Sequence, residues 1–232
     1  MIQIGGLQRS TLIDYPGRVA ATVFLTGCNF RCPFCYNPEL VLPEKIEKQP
    51  KISERHFFDF LKKRKGLLEG VCLTGGEPTI NKDLPEFIRK IKKLGFLVKL
   101  DTNGSNPEML KKLIDEKLID YVAMDVKVPQ EKYKKIFGKR VKIEDVEESI
   151  KTLKEGKIGY EFRSTIIPGV HNKEDIIKMA NWIRGAKAYY LQQFRREKTI
   201  NPKFEKVKPY SREFLLEVKR VISPLFEICQ LR

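Results

Sequence analysis

Three thiols within eight residues, Cys28, Cys32 and Cys35 in the run Cys-Asn-Phe-Arg-Cys-Pro-Phe-Cys, can ligate one compact metal centre. An iron-sulfur cubane needs a ligand on each of its irons, so three protein thiolates leave one iron open to an outside molecule, and chemistry can occur there. A structural zinc site usually takes four ligands as two separated pairs. Here Cys72 and Cys229 are each isolated, and His56 and His171 are the only histidines. A disulfide framework suits a short secreted chain, whereas no secretory signal is read here, the cysteine count of 5 is odd, and 232 residues allow an ordinary core.

Four further groups of polar residues invite a chemical reading. Gly75-Gly76-Glu77-Pro78 pairs glycines, which let a backbone approach a ligand closely, with a carboxylate that can accept from an ammonium group; alone it also reads as a structural turn. Asp101-Thr102-Asn103-Gly104 can be a plain Asx turn. Asp101 and Asp125 nevertheless end neighbouring predicted strands, and two carboxylates converging there repel unless a cation or a basic group joins them; Lys127 can relieve that charge. Arg163 lies within an apolar strand, and turned inward it needs a carboxylate partner. His171, in Pro-Gly-Val-His-Asn, reads as a loop-capping residue and Cys72 as a small buried apolar group.

These residues need a frame, and the chain supplies one. Apolar runs alternate with amphipathic segments, the signature of repeated βα units around a parallel sheet. Strands are predicted over 19–25, 70–74, 97–101, 121–125, 159–167 and 188–192. Helices are predicted over 53–68, 84–94, 107–116, 143–154, 173–184 and 211–222, with Ser53 and Asn106-Pro107 as start signals and Gly95 as a stop. Ligands in such folds gather at the carboxyl ends of the strands, where the cysteine loop, Gly75-Gly76, Asp101-Thr102-Asn103, Asp125-Lys127 and Gln192-Gln193 all fall. A single domain over 1–232 is expected: an extension over 1–18 with a possible hairpin, a core over 19–200, and a helical region over 201–232.

The net charge of +15 arises from 45 basic and 30 acidic residues. The lysines are spread among glutamates over many helices, which favours a solvated surface over a nucleic-acid site, and Lys/Glu richness is common in proteins from hot environments. Apolar runs such as Val19–Leu25 are too short to span a bilayer, so a cytoplasmic protein without membrane attachment is expected.

The CxxxCxxC spacing, with the aromatic Phe34 before its last cysteine, resembles the cluster motif of the radical S-adenosylmethionine (SAM) superfamily, and Gly75-Gly76-Glu77-Pro78 is similar to that superfamily's GGEP motif. With Asp101-Thr102 and Asp125-Val126-Lys127 added, the chain resembles the glycyl-radical-enzyme activating enzymes, including the activators of pyruvate formate-lyase and anaerobic ribonucleotide reductase. The resemblance implies an α/β fold, a partial (β/α)6 TIM-like barrel with mainly parallel strands. It implies a 4Fe-4S cluster on Cys28, Cys32 and Cys35, and SAM held with the help of Phe34, Gly75, Gly76, Glu77, Asn103 and Arg163. Asp101, Thr102 and Asp125 would form a monovalent-cation site beside SAM, with Lys127 nearby. The implied partners are a glycyl-radical enzyme and a one-electron donor such as flavodoxin or ferredoxin. One departure stands out: the family's histidine on the sixth strand is replaced by Gln192-Gln193-Phe194, which leaves the adenosine end open. Two other functions remain: a radical SAM enzyme acting on a small molecule or RNA, and an iron-sulfur electron carrier. GGEP and the two rim aspartates argue against the carrier.

Overall fold

Strand residues alternate between two environments, and that alternation builds the molecule. The computed structural model describes residues 2–138 and 141–232. Eight strands follow one another across a single sheet: β1 (Ile4–Thr11), β2 (Ala20–Leu25), β3 (Gly70–Gly75), β4 (Leu97–Thr102), β5 (Tyr121–Asp125), β6 (Gly159–Ile166), β7 (Ala188–Gln193) and β8 (Ile228–Leu231). β1 runs antiparallel to β2, every later neighbour is parallel, and among the described residues β1 and β8 do not pair, so the barrel stays open.

Val23, Val71, Leu73, Val98, Leu100, Val122, Met124, Phe162 and Leu191 bury one face of the strands against helical residues such as Leu61, Ile88, Leu113, Leu153, Met179 and Val218. Each aliphatic side chain withdrawn from water contributes about 1.5–3 kcal/mol. The opposite positions, two residues apart on each strand, carry Thr22, Cys72, Lys99, Asp101, Asp125, Glu161, Arg163 and Gln192. The concave side of the sheet is therefore polar.

Nine helices are described: α1 (Pro38–Val41), α2 (Pro43–Ile46), α3 (Glu54–Lys63), α4 (Leu84–Lys93), α5 (Pro107–Asp115), α6 (Gln130–Phe137), α7 (Ile143–Lys154), α8 (Lys173–Trp182) and α9 (Arg212–Ile222). Ser53 and Asn106 cap α3 and α5 as their sequences predict, accepting from the amides of His56 and Met109. Asn172 and Asp175 form a reciprocal capping box on α8. The predicted helix over 53–68 stops at Lys63, because Gly66 takes a left-handed turn at φ 78° ahead of β3.

The six predicted βα units correspond to β2 through β7. β1 realises the expected hairpin, while β8 and α6 have no counterpart in the sequence reading; the region over 201–232 thus contains a strand as well as α9. Tyr15 packs near the amino-terminal end of the parallel strands, 6.2 Å from Tyr121, and Arg232, which follows β8, reaches back to donate twice to buried Glu161 at 2.8 and 3.1 Å. Among the described residues no helix is long and apolar enough to cross a membrane.

Candidate active site

At the carboxyl end of the strands a cavity of about 470 Å³ opens. Its wall contains Cys28, Cys32, Phe34, Cys35, Gly75, Gly76, Glu77, Asp101, Thr102, Asn103, Asp125, Lys127 and Arg163. All thirteen residues expected to hold cluster or cofactor therefore meet at one place, although they are spread over some 136 positions of sequence.

The cysteine loop follows β2 and is held by backbone bonds on several sides. Gly27 donates to the Leu40 carbonyl at 2.8 Å, and the Gly27 carbonyl accepts from the Glu77 amide at 2.8 Å. Ile200 and Asn201, far along the chain, donate to the carbonyls of Cys35 and Pro33 at 3.0 and 2.8 Å. Phe30 stacks on Phe137 of α6, and Phe34 meets Phe137 and Phe204 edge-on with centroids 6.5 and 6.0 Å apart. Burial pushes the Cys28 thiol up to about 11 and the Cys32 thiol up to about 12. Such thiols keep their protons until a metal displaces them. Among the described residues no three candidate ligands close on a single ion. Three sulfurs along one cavity wall suit a multi-iron cluster, whose irons each take one thiolate.

Gly75 and Gly76 are glycines for a steric reason. Gly75 has φ 118°, and a Cβ on Gly76 would lie 1.9 Å from the Gly27 carbonyl oxygen, so this turn packs directly onto the base of the cysteine loop. Glu77 is 1% exposed, and its carboxylate takes four donors. Oε1 accepts from the Thr79 amide (3.1 Å), the Thr79 hydroxyl (2.6 Å) and the Thr102 hydroxyl (2.7 Å), and Oε2 from the Asn103 amide (2.6 Å). Burial raises its carboxyl above the usual range while these donors pull the other way. With donors from Thr79 on one side and from Thr102 and Asn103 on the other, the Glu77 side chain braces the turn after β3 against the turn after β4. Asn103 extends the brace, donating to Asn29 in the cysteine loop at 3.0 Å.

Across the cavity the strands present charge. Arg163 on β6 donates from Nη1 to Asp101 Oδ2 and from Nε to Asp125 Oδ1, both at 3.1 Å, and Lys127 donates to Asp125 Oδ2 at 3.1 Å. Lys99, two residues before Asp101 on the same face of β4, donates to Asp101 Oδ1. The order Lys99, Asp101, Arg163, Asp125, Lys127 alternates in sign across β4, β5 and β6. Burial opposes the charge on both aspartates, yet their cationic neighbours outweigh it and hold both carboxyls below the usual range. Burial likewise opposes the charge on Arg163, and the two aspartates more than restore it. The inward arginine thus has two carboxylate partners.

His171 lies outside this wall. Its Nδ1 accepts from the Ile167 amide at 3.0 Å and its Nε2 donates to the Lys127 carbonyl at 2.8 Å, so it caps its own loop and also pins the rim segment after β5. Cys72 is buried on the concave side, next to the charge row, where its thiol donates to Asp101 at 3.7 Å. Three contributors were not anticipated from sequence: Lys99, Asn29, and the Ile200–Asn201 segment. For Lys99 the signal was present, because a period of two puts it on the face of Asp101.

An open, mainly parallel βα barrel with three thiols and a charged rim at its carboxyl end defines a metallocofactor enzyme of the TIM-like class. The chain belongs to the radical SAM superfamily, whose family model matches residues 22–183. It is 36% identical over 211 residues to a Methanocaldococcus jannaschii protein named as a candidate glycyl-radical enzyme activating enzyme, covering 88% of this chain and 85% of that one. It is 30% identical over 199 residues to the pyruvate formate-lyase-activating enzyme of Clostridium pasteurianum, covering 79% and 77%. Among solved structures, Streptococcus suis SuiB bound to S-adenosylmethionine superposes with a TM-score of 0.61 at 16% identity, over 88% of this chain and 48% of that one, a likeness of fold. A radical SAM enzyme uses a 4Fe-4S cluster and SAM, and the donor set described above fits both.

Proposed function

We propose that the protein cleaves SAM reductively and installs a radical on a backbone glycine of a larger partner enzyme, with anaerobic ribonucleotide reductase as the first candidate. When bound, the cluster would supply an open iron and pass on one electron, taken from a donor such as flavodoxin or ferredoxin, so that SAM is cleaved to methionine and a 5′-deoxyadenosyl radical. The chain's own residues do the rest. Cys28, Cys32 and Cys35 would hold the cluster, the backbone at Gly75-Gly76 would receive the amino group of SAM, and Arg163, fixed by two aspartates, would receive its carboxylate. Thr102 and Asn103 hold the rim beside them, and Phe34 supplies an apolar wall that excludes water.

One observation carries this reading: Asp101 and Asp125, the two aspartates at the strand ends, are locked as ionised partners of cations, and the nearby histidine is turned into its own loop. Neither strand-end aspartate nor His171 is thus free to act as a general acid or base, and abstraction of a hydrogen atom requires none. Alignment of nearly the whole chain with activating-enzyme relatives supports the protein substrate.

The test is anaerobic reconstitution with iron and sulfide, reduction, and addition of SAM and anaerobic ribonucleotide reductase. Production of 5′-deoxyadenosine and a doublet glycyl-radical signal in electron paramagnetic resonance are expected. Cys32→Ala should abolish both, since two thiolates cannot retain the cluster. Deoxyadenosine without the doublet would remove this partner and leave the SAM chemistry standing.

A further inference from the structure

Two carboxylates side by side need positive charge, and the rim can take it from an outside ion or from its own side chains. We propose that Lys99 is a built-in counter-ion of the SAM-binding rim, a positioning residue that acts through Asp101 and Arg163 and completes the rim without an added monovalent cation. The proposal rests on the reading that Arg163 receives the SAM carboxylate.

Every carboxylate oxygen of Asp101 and Asp125 already has a side-chain donor. Asp101 Oδ1 takes Lys99 and the Cys72 thiol, Asp101 Oδ2 takes Arg163, Asp125 Oδ1 takes Arg163, and Asp125 Oδ2 takes Lys127. Three cations face two carboxylates, so the row carries one surplus positive charge. An added cation would meet the surplus positive charge of the row and carboxylates whose oxygens are already bonded. The surplus instead suits an arriving anion, as the SAM carboxylate is.

Lys99 is no incidental surface residue. Its side chain is 1% exposed, and its ammonium also lies 3.7 Å from the Cys72 sulfur. Burying an ammonium is costly unless it is paired. Burial pushes its pKa down, but Asp101 more than offsets this and keeps the lysine charged. Because Lys99 occupies one oxygen of Asp101, the other oxygen is presented to Arg163, which in turn reaches Asp125. Without Lys99, Asp101 keeps a single cation and an unfilled space beside Oδ1.

The experiment measures SAM affinity of the cluster-loaded protein by anaerobic calorimetry, at one ionic strength set with potassium, sodium or tetramethylammonium chloride. The native protein should bind SAM within about twofold in all three salts. Lys99→Met should bind about tenfold more weakly in tetramethylammonium, with potassium or ethylammonium restoring the affinity to within about threefold. A merely structural lysine would not show ion-selective recovery. Native protein that binds SAM tenfold better in potassium would overturn the proposal, as would a Lys99→Met protein with native affinity in tetramethylammonium. If the variant fails to fold, the comparison of salts on native protein still decides. Loss of SAM binding in every salt by native protein would overturn the underlying SAM reading and this proposal with it, and differs from both other failures.

Discussion

The two sides of the cavity are built from different materials. On the β2–β3 side the cysteine loop and the Gly75-Gly76 turn are joined by backbone bonds and by contacts that leave no room for a Cβ. On the β4–β6 side five charged side chains alternate in sign across the sheet. The difference is one of tolerance. A site built on backbone contact fails by steric exclusion when one atom is added. A site built on charge fails by degrees as partners are removed, because the remaining partners and solvent share the loss.

Gly76→Ala should therefore have the largest effect. Its methyl would meet a carbonyl oxygen that belongs to the cysteine loop itself, so backbone must move. A loss of roughly 3 kcal/mol or more is expected in urea denaturation, together with failure to take up iron on reconstitution. Gly6→Ala in β1 is the matched control, because its methyl meets the movable Phe24 ring at 3.3 Å. It should cost less than about 1 kcal/mol. Equal losses at the two glycines would erase the distinction between the two sides.

Arg163→Met tests the charged side. It leaves Asp101 with Lys99 and Asp125 with Lys127, each at the edge of a broken row. Truncating one member of a buried ion pair typically costs about 3–5 kcal/mol, and the surviving lysines should keep the loss at the lower end. SAM affinity should fall further than stability does, since the group facing the SAM carboxylate is gone. Arg163→Lys should recover little, because a single ammonium cannot reach both aspartates as the forked guanidinium does. The sign of the pH effect follows from the carboxylates. Both have folded pKa values below their ordinary ones, so their contribution is complete above the usual carboxylate range and is lost as pH falls through the folded values. Arg163→Met should flatten that acid limb.

The same contrast explains what could be read in the sequence. The βα units were legible because β2 through β7 each bury an aliphatic face and the intervening helices carry caps. β8, only four residues long and with alternate residues exposed, lacks that apolar signal, and α6 spans only eight residues, Gln130–Phe137, with Tyr133 and Phe137 as its buried positions. At the site, the cysteines and paired glycines announce themselves by local spacing. The charge row does so only in part: Asp101 and Asp125 are legible as strand-end charges and Arg163 as a strand arginine that needs a carboxylate if turned inward, whereas the period of two that puts Lys99 on the face of Asp101 does not show which neighbours across three strands it joins. Asn29 and Ile200–Asn201 act on the cysteine loop or its neighbours across 74 to 168 positions of sequence, and no periodicity records such contacts.

The smallest expected effect concerns the join between the charge row and the loop behind it. His171 holds Lys127 by its backbone, and its Nδ1 must stay unprotonated because the Ile167 amide can only donate. Burial lowers its pKa below the ordinary 6.5, against the opposing pull of the Lys127 carbonyl and Asp175, while the Lys132 charge acts in the same direction as burial. The folded ring therefore resists a proton that the unfolded ring accepts. Its stabilising contribution is complete above about pH 6.5 and is lost as pH falls from there toward the folded value. Thermal melts should lose a few degrees more in native protein than in His171→Gln on going from pH 7.5 to 5.5. The glutamine keeps one donor and one acceptor but does not titrate. Parallel curves would show that His171 adds nothing to acid sensitivity in this range, which lies above that in which the aspartates of the row titrate. A steeper native curve would place part of it in the loop that supports them, so that backbone contact and charge meet at Lys127.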